Sequence, residues 1–253
     1  MTTMLSELVK IQLLTDTSVL HISTMGVAPF FVEQIPEMQL AALKLVTNVF
    51  SKYEKHRKLL LDDILASIAR LPSSKRSLRT YRLNSETYIQ MLTALVLQLI
   101  QCVVTLPKKL AIKEDGKIPL NMKNNKNGEV EDPAEEEVTG EVDRDVLINH
   151  KYSNAMATAH QFLTVFLKKC ATKNEDIDYR PLFENFVQDL LTTVNTPEWP
   201  SAELLLSLLG KQISTFMEKF SNLSLSFLSA GSICIGIWSE YGTKNVSWPG
   251  VIS

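Results

Sequence analysis

Apolar residues recur along most of this chain at three- and four-residue steps, the spacing that lines one face of a helix. Leu182, Phe183, Phe186, Leu190 and Leu191 form one stripe, and Leu204, Leu205, Leu208 and Leu209 form another. Between them lies Asn195-Thr196-Pro197-Glu198-Trp199-Pro200. Its two prolines stop one helix and let the next begin, and Pro181 sits where the first can start without losing an internal hydrogen bond. Residues 179–210 therefore read as two antiparallel helices joined by a proline turn, the unit of an α-solenoid. Trp199 is expected to wedge that turn against the preceding helix.

The same reading extends upstream. Residues 5–22 give a predicted helix with Leu5, Leu8, Val9 and Leu13 on one side, broken at Gly26-Val27-Ala28-Pro29. Pro36 opens a second, in which Leu40, Leu43, Leu45, Val46, Val49 and Phe50 are apolar. Residues 55–71 give a third, with Leu59, Leu60, Ile64, Leu65 and Ile68 inward, ended by Pro72. KRSLRTYRL, residues 75–83, reads as a basic loop. Residues 85–106 follow as an almost uncharged helix near the length that spans a bilayer, but Gln90, Gln98, Gln101 and its threonines favour a central helix buried by neighbours. Residues 146–173 resume the pattern through Met156, Ala159, Phe162, Leu163, Phe166 and Leu167, and Lys168 and Lys169 complement the dipole at its end.

Two stretches break the pattern. Residues 108–145 are polar, carry eleven acids and contain scattered glycines and prolines. Such a stretch buries too little apolar surface to offset its ordering entropy and is expected to be a disordered acidic insertion. Residues 211–219 extend the preceding helix, whereas 220–239 carry no charge, six serines and mixed periodicity. Residues 211–253 are expected to be a divergent tail, from an alternative transcript end or read-through.

Composition narrows the class. The 253 residues are 45% hydrophobic and 21% charged, with net charge −2 and only nine glycines. That balance suits a packed helical protein. Cys102, Cys170 and Cys234 form no CxxC pair, and Cys102 and Cys170, on apolar faces of predicted helices, read as buried thiols in a reducing compartment. The start, MTTMLSELVKIQLL, lacks the basic region of a signal peptide. No phosphate-binding loop, nucleophile elbow, metalloprotease or dinucleotide motif occurs. His21, His56, His150 and His160 are not at ligand spacing, and Asp62 and Asp63 point about 100° apart on a helix. The chain is therefore expected to be no enzyme, with no cofactor, metal site, small-molecule substrate or membrane partner.

Charge pattern remains. Between Lys44 and Arg82 stand ten bases against three acids, a local excess of seven in a chain of net charge −2. A basic cluster on a rigid scaffold attracts phosphate backbones, whereas a solvated helix face carries the same pattern without function. Lys75, Arg76, Arg79 and Arg82 are the candidate DNA-binding residues, and Tyr81 either stacks on a base or sugar or anchors the loop to the core.

Several long segments also resemble a known family. DYRPLFENFVQDLLTTVNTPEWPSAELLLSLLG is similar to a HEAT repeat of the Nipped-B family, the adherin subunit that loads cohesin. FFVEQIPEMQLAALKLVTNVFSKYEKHR, ARLPSSKRSLRTYRLNS and YIQMLTALVLQLIQCVV resemble the same region in the same order. The resemblance runs roughly over residues 17–210. It implies an all-α fold, an α-solenoid of HEAT/armadillo-type helical hairpins, with repeats at 1–107 and 146–210 around the insertion. It further implies a nuclear, chromatin-associated scaffold whose partners are the cohesin complex and duplex DNA. The alternative is a generic α-solenoid adaptor that binds only protein. No polar-faced capping repeat is recognisable at either end, so the chain is expected to be part of a longer array.

Limited proteolysis is expected to cut first within 108–145 and to spare 88–106, as read by mass spectrometry of the earliest fragments. First cuts inside the apolar helix would contradict the assignment.

Overall fold

The computed structural model describes residues 2–32, 35–68, 79–104, 144–171 and 179–219. The acidic stretch up to 143 and the tail from 220 lie outside these residues, as do Lys75 and Arg76. The described helices are α1 (Thr2–Ile11), α2 (Asp16–Val27), α3 (Pro36–Lys52), α4 (Arg57–Ser67), α5 (Met91–Val104), α6 (Arg144–Ala171), α7 (Arg180–Thr193) and α8 (Ser201–Lys219). Two short strands, β1 (Arg79–Arg82) and β2 (Tyr88–Gln90), stand between α4 and α5. Helices α1, α3, α5 and α6 pack in chain order, with α2 and α4 alongside, and α8 packs on α5, α6 and α7.

Helix α5 is the centre. Eleven of its 14 residues are buried, and it touches α3, α6, α7, α8 and both strands. Burial on nearly every side explains why its sequence carries so little charge. Among the described residues no helix is long and apolar enough to cross a membrane. Next to it, Phe162 and Phe166 of α6 meet Phe183 and Phe186 of α7, with the Phe166 and Phe186 ring centroids 5.2 Å apart and edge-on. Offset and edge-on rings at this spacing add to the area they bury.

The helix expected over 5–22 is two helices. Thr15 caps α2, its Oγ1 accepting the Ser18 N–H at 3.4 Å, and Asp16 follows in the first turn. The other side of the break is held from a distance. Lys52 Nζ donates to the carbonyls of Val9, Lys10 and Gln12 at 2.9, 3.0 and 2.9 Å. Tyr53 Oη accepts the Leu14 N–H at 2.9 Å and donates to the Gln12 carbonyl at 3.3 Å. The carbonyls that a helix end leaves without partners are thus satisfied by α3 and the residue after it. Periodicity runs through the break, so only the Thr15-Asp16 capping signal marks it. Leu13, assigned inward on periodicity, is 74% exposed.

Gly26 does not break α2, which continues to Val27. A Cβ at Gly26 would lie 2.8 Å from Val46 Cγ2, so glycine is there to let α2 and α3 approach closely. The chain turns after it through a 3-10 turn at Ala28–Phe31 that contains Pro29. Leu40 and Leu59, read as apolar-face residues, are exposed. Helix α8 does run on through Lys219.

The turn between α7 and α8 is built by backbone bonds and then pinned. Thr196 N–H donates to the Thr193 carbonyl, Trp199 N–H to that of Thr196 and Ala202 N–H to that of Trp199. Ser201 Oγ donates to the Leu97 carbonyl at 3.0 Å, and Gln101 Nε2 donates to the Glu198 carbonyl at 2.9 Å. Trp199 is buried. Its ring stands edge-on to Tyr81 of β1, centroids 5.7 Å apart at 88°. The tryptophan therefore secures β1 to the turn as well as filling the core. Trp199→Ala is expected to cost about 3–5 kcal/mol, as for other large-to-small aromatic changes, read as a lower urea midpoint at unchanged m. An unchanged midpoint would place the ring in solvent.

Candidate nucleic-acid interface

The basic stretch expected to be a loop ends as a β-hairpin. Arg79 pairs with Gln90, Tyr81 with Ile89 and Arg82 with Tyr88, antiparallel, with a register shift between Arg79 and Tyr81. Asn84 makes the turn: its Oδ1 accepts the N–H groups of Glu86 and Thr87 at 3.0 and 2.8 Å. Leu83 N–H then donates to the Thr87 carbonyl at 2.9 Å. An Asn-Ser turn between two Thr-Tyr pairs was the signal for this hairpin in the sequence.

The irregularity re-aims the side chains of β1. Arg79 and Tyr81 both engage the helical body. Arg79 Nε donates to Asp189 Oδ1 at 2.8 Å, across 110 residues of sequence. The other carboxylate oxygen of Asp189 accepts the Gln90 N–H at 2.9 Å and the Thr93 hydroxyl at 2.8 Å. Asp189 itself is fully buried. It therefore caps the start of α5 from α7 while pairing with a cation from β1, which supplies the partners that a buried carboxylate requires. Tyr81 anchors the strand, resolving its two readings: besides Trp199, its Oη accepts from Gln98 Nε2 at 3.4 Å. Burial pushes its phenol pKa up, with the Gln98 contact opposing.

Arg82 behaves differently. Like Arg79, whose side chain is 37% exposed beside its carboxylate, it is exposed, but its Nε donates to the Asn84 carbonyl at 2.9 Å, and among the described residues it pairs with no carboxylate. Its cross-strand neighbour Tyr88 is 43% exposed. The helix expected from residue 85 hides that Tyr88 is the cross-strand partner of Arg82 and that both are exposed. Asp189 was equally hidden: it is an acid on the buried stripe of α7, three residues after Phe186 and one before Leu190.

Most of the remaining basic excess is internally matched. Lys44 Nζ lies 2.8 Å from Glu7, and Lys55 Nζ and His56 Nε2 lie 2.6 and 3.0 Å from Asp16. Lys44 and then Lys10 hold the Glu7 carboxyl below its ordinary pKa, and Lys55 and then His56 do the same to Asp16. Arg57 donates to the Phe50 and Ser51 carbonyls at 2.8 and 3.1 Å, and Lys52 serves the end of α1. His150 and His160 are exposed. Cys170 is buried and Cys102 half-buried, and desolvation pushes the Cys102 thiol up to about 12. Among the described residues no group of His, Cys, Asp and Glu is placed to hold a metal.

Comparison with known proteins places the chain. No family model matches it. It is 56% identical over 226 residues to the human Nipped-B-like protein, covering 87% of this chain and 7% of that protein. The chain belongs to the Nipped-B family. It is 48% identical over 206 residues to the Nipped-B protein of Drosophila melanogaster, covering 80% of this chain and 10% of that protein. The Nipped-B-like protein scc-2 of Caenorhabditis elegans is 31% identical over 230 residues, which are 88% of this chain and 10% of that protein. This Nipped-B-family chain thus spans about a tenth or less of the relatives it matches. Its fold is similar to the C-terminal fragment of the cohesin loader SCC2 of Chaetomium thermophilum, with TM-score 0.67 and 20% identity, covering 93% of this chain and 17% of that one. The fold is an all-α solenoid, as the repeating hairpins implied.

A double-mutant cycle on Arg79→Ala and Asp189→Ala should return a coupling of about 1–3 kcal/mol in denaturant unfolding, the range of contacting pairs within one network. Coupling near that of an exposed ion pair, below about 0.5 kcal/mol, would mean that the carboxylate is satisfied without Arg79.

Proposed function

We propose that this chain is a scaffold segment of a cohesin loader of the Nipped-B type, acting on chromatin in the nucleus and engaging cohesin and duplex DNA. The observation that carries the reading is the collinear identity with Nipped-B-like proteins over 87% of the chain, supported by the solenoid likeness to a protein described as a cohesin loader. An α-solenoid binds through its extended surface.

The DNA contact is assigned to Lys75, Arg76 and Arg82, with Tyr88 beside Arg82. Arg79, counted with them on sequence density, is committed to Asp189 and is withdrawn from the phosphate-binding set. Removing it from the cluster also changes the mutational test, because reversing Arg79 would set a second acid against the buried Asp189. Lys75, Arg76 and Arg82 reversed together to Glu should lower the magnitude of the log–log salt slope by between about two and three, at about 0.9 per phosphate contact. Folding should be preserved. The measurement is fluorescence anisotropy with two unrelated duplexes across a salt series.

One structural observation favours a second reading. Lys44 and Lys55, two of the ten bases, are paired with Glu7 and Asp16 from outside the segment, so part of its positive excess is matched among the described residues. A protein-only solenoid adaptor fits that pattern. It predicts no salt-sensitive duplex binding by the wild-type chain, the outcome that would reject DNA contact.

A further inference from the structure

The two faces of the β-hairpin divide its side chains into anchors and presenters. Arg79 and Tyr81 reach the body, at Asp189 and at Trp199 with Gln98. Arg82 and Tyr88, paired across the strands, are exposed; Arg79 is exposed too, but its Nε is bonded to the buried Asp189. Gln98 lies on α5, which follows the hairpin directly, but the other two anchor points lie far along the chain. Asp189 belongs to α7, about a hundred residues downstream, and Trp199 to the turn after it. The Asp189 carboxylate joins three elements at one point: β1 through Arg79, β2 through the Gln90 N–H, and α5 through Thr93.

We propose that Asp189 is a positioning residue for nucleic-acid contact. By binding Arg79 it withholds that guanidinium from phosphates and fixes the strand from which Arg82 and Tyr88 project toward the duplex. Arg82 then supplies the phosphate contact, and Tyr88 offers a ring edge or face to the adjoining sugar or base. The assignment rests on the DNA reading above. It differs from a simple charge account in sign. If Arg79 is an ordinary member of the basic cluster, neutralising Asp189 removes a competing anion and frees a cation, so duplex binding tightens. If Arg79 is an anchor, the same change releases the strand and binding weakens, although the protein has become more positive.

Asp189→Asn distinguishes the two. The amide oxygen can keep the Gln90 and Thr93 bonds, while the amide nitrogen faces the Arg79 donor and cannot accept from it. Asn48→Ala serves as the control for stability alone, since Asn48 Nδ2 bonds Ser6 Oγ at 2.7 Å on the far side of α3. Duplex binding across a salt series is measured for wild type, Asp189→Asn, Arg79→Gln and Asn48→Ala. Native hydrogen exchange is followed at the Leu83 amide, which donates to the Thr87 carbonyl within the hairpin. Asp189→Asn and Arg79→Gln should both bind several-fold more weakly. Their salt slope should shrink by up to about 0.9, the contribution of one phosphate contact, as Arg82 loses its place. Leu83 should exchange faster in both and unchanged in Asn48→Ala.

Tighter binding by Asp189→Asn with a slope larger by about 0.9 would overturn the proposal, since Arg79 would then be a phosphate ligand in waiting. Unchanged Leu83 protection in Asp189→Asn would overturn it as well. Wild type that binds neither duplex would reject the DNA reading itself, and Leu83 exchange would still decide whether Asp189 positions the strand.

Discussion

A carboxylate taken out of water is costly unless its oxygens find donors, and Asp189 has been taken out completely. The geometry around it follows from that cost. Its donors are a guanidinium, a backbone amide at the start of a helix and a threonine hydroxyl, at 2.8, 2.9 and 2.8 Å. No two of the contributing elements would need to sit where they do on hydrophobic grounds alone, because apolar burial is non-directional. The charge network fixes registration: α7 cannot slide along α5, and β1 cannot leave either, without stranding a charge or an amide. Breaking one partner of such a site is more damaging than its net worth, since the survivor stays buried and unpaired.

The same logic of distant partners recurs at the other end. Lys52 satisfies the carbonyls of Val9 and Lys10 at the end of α1, and of Gln12 just beyond it, from the end of α3, and Asn48 bonds the buried Ser6. In a solenoid each helix is covered mainly by its neighbours, so ends that local caps leave open are closed by side chains from the next layer. A lysine in this role is a structural cation. Counting it toward an external binding surface overstates that surface, and the same holds for Lys44 and Lys55, which lie on carboxylates 37 and 39 residues upstream.

The helices were legible because their burial is one-sided, or in α5 all-round, and leaves a period in the sequence. The hairpin pair α7 and α8, with its proline turn, was legible for that reason and for its breakers. The split between α1 and α2 was not, since apolar residues continue through it at helical spacing and the decisive feature is a single threonine cap. The β-hairpin was missed because its strands are four and three residues long and the residues that tie it to the body include an arginine. An arginine reads as outward-facing in any hydrophobic pattern. What ties it to the body is an acid on α7, 110 residues away.

Long-range pairing also decides how much of a basic segment remains available to a partner. Ten bases against three acids between Lys44 and Arg82 describe the chain before folding. Folding brings Glu7, Asp16 and Asp189 to that segment from outside it, and turns Lys52 and Arg57 onto carbonyls. The exposed pairs among these, at Glu7 and Asp16, contribute little to stability and are screened by salt. Their larger consequence is for recognition: a matched charge releases no counterion from DNA and adds nothing to the salt slope until its partner is displaced. The electrostatic surface is therefore carried by the cations the fold leaves unmatched. On the hairpin that cation is Arg82, next to the ring of Tyr88, on a strand whose other arginine is spent on holding it in place.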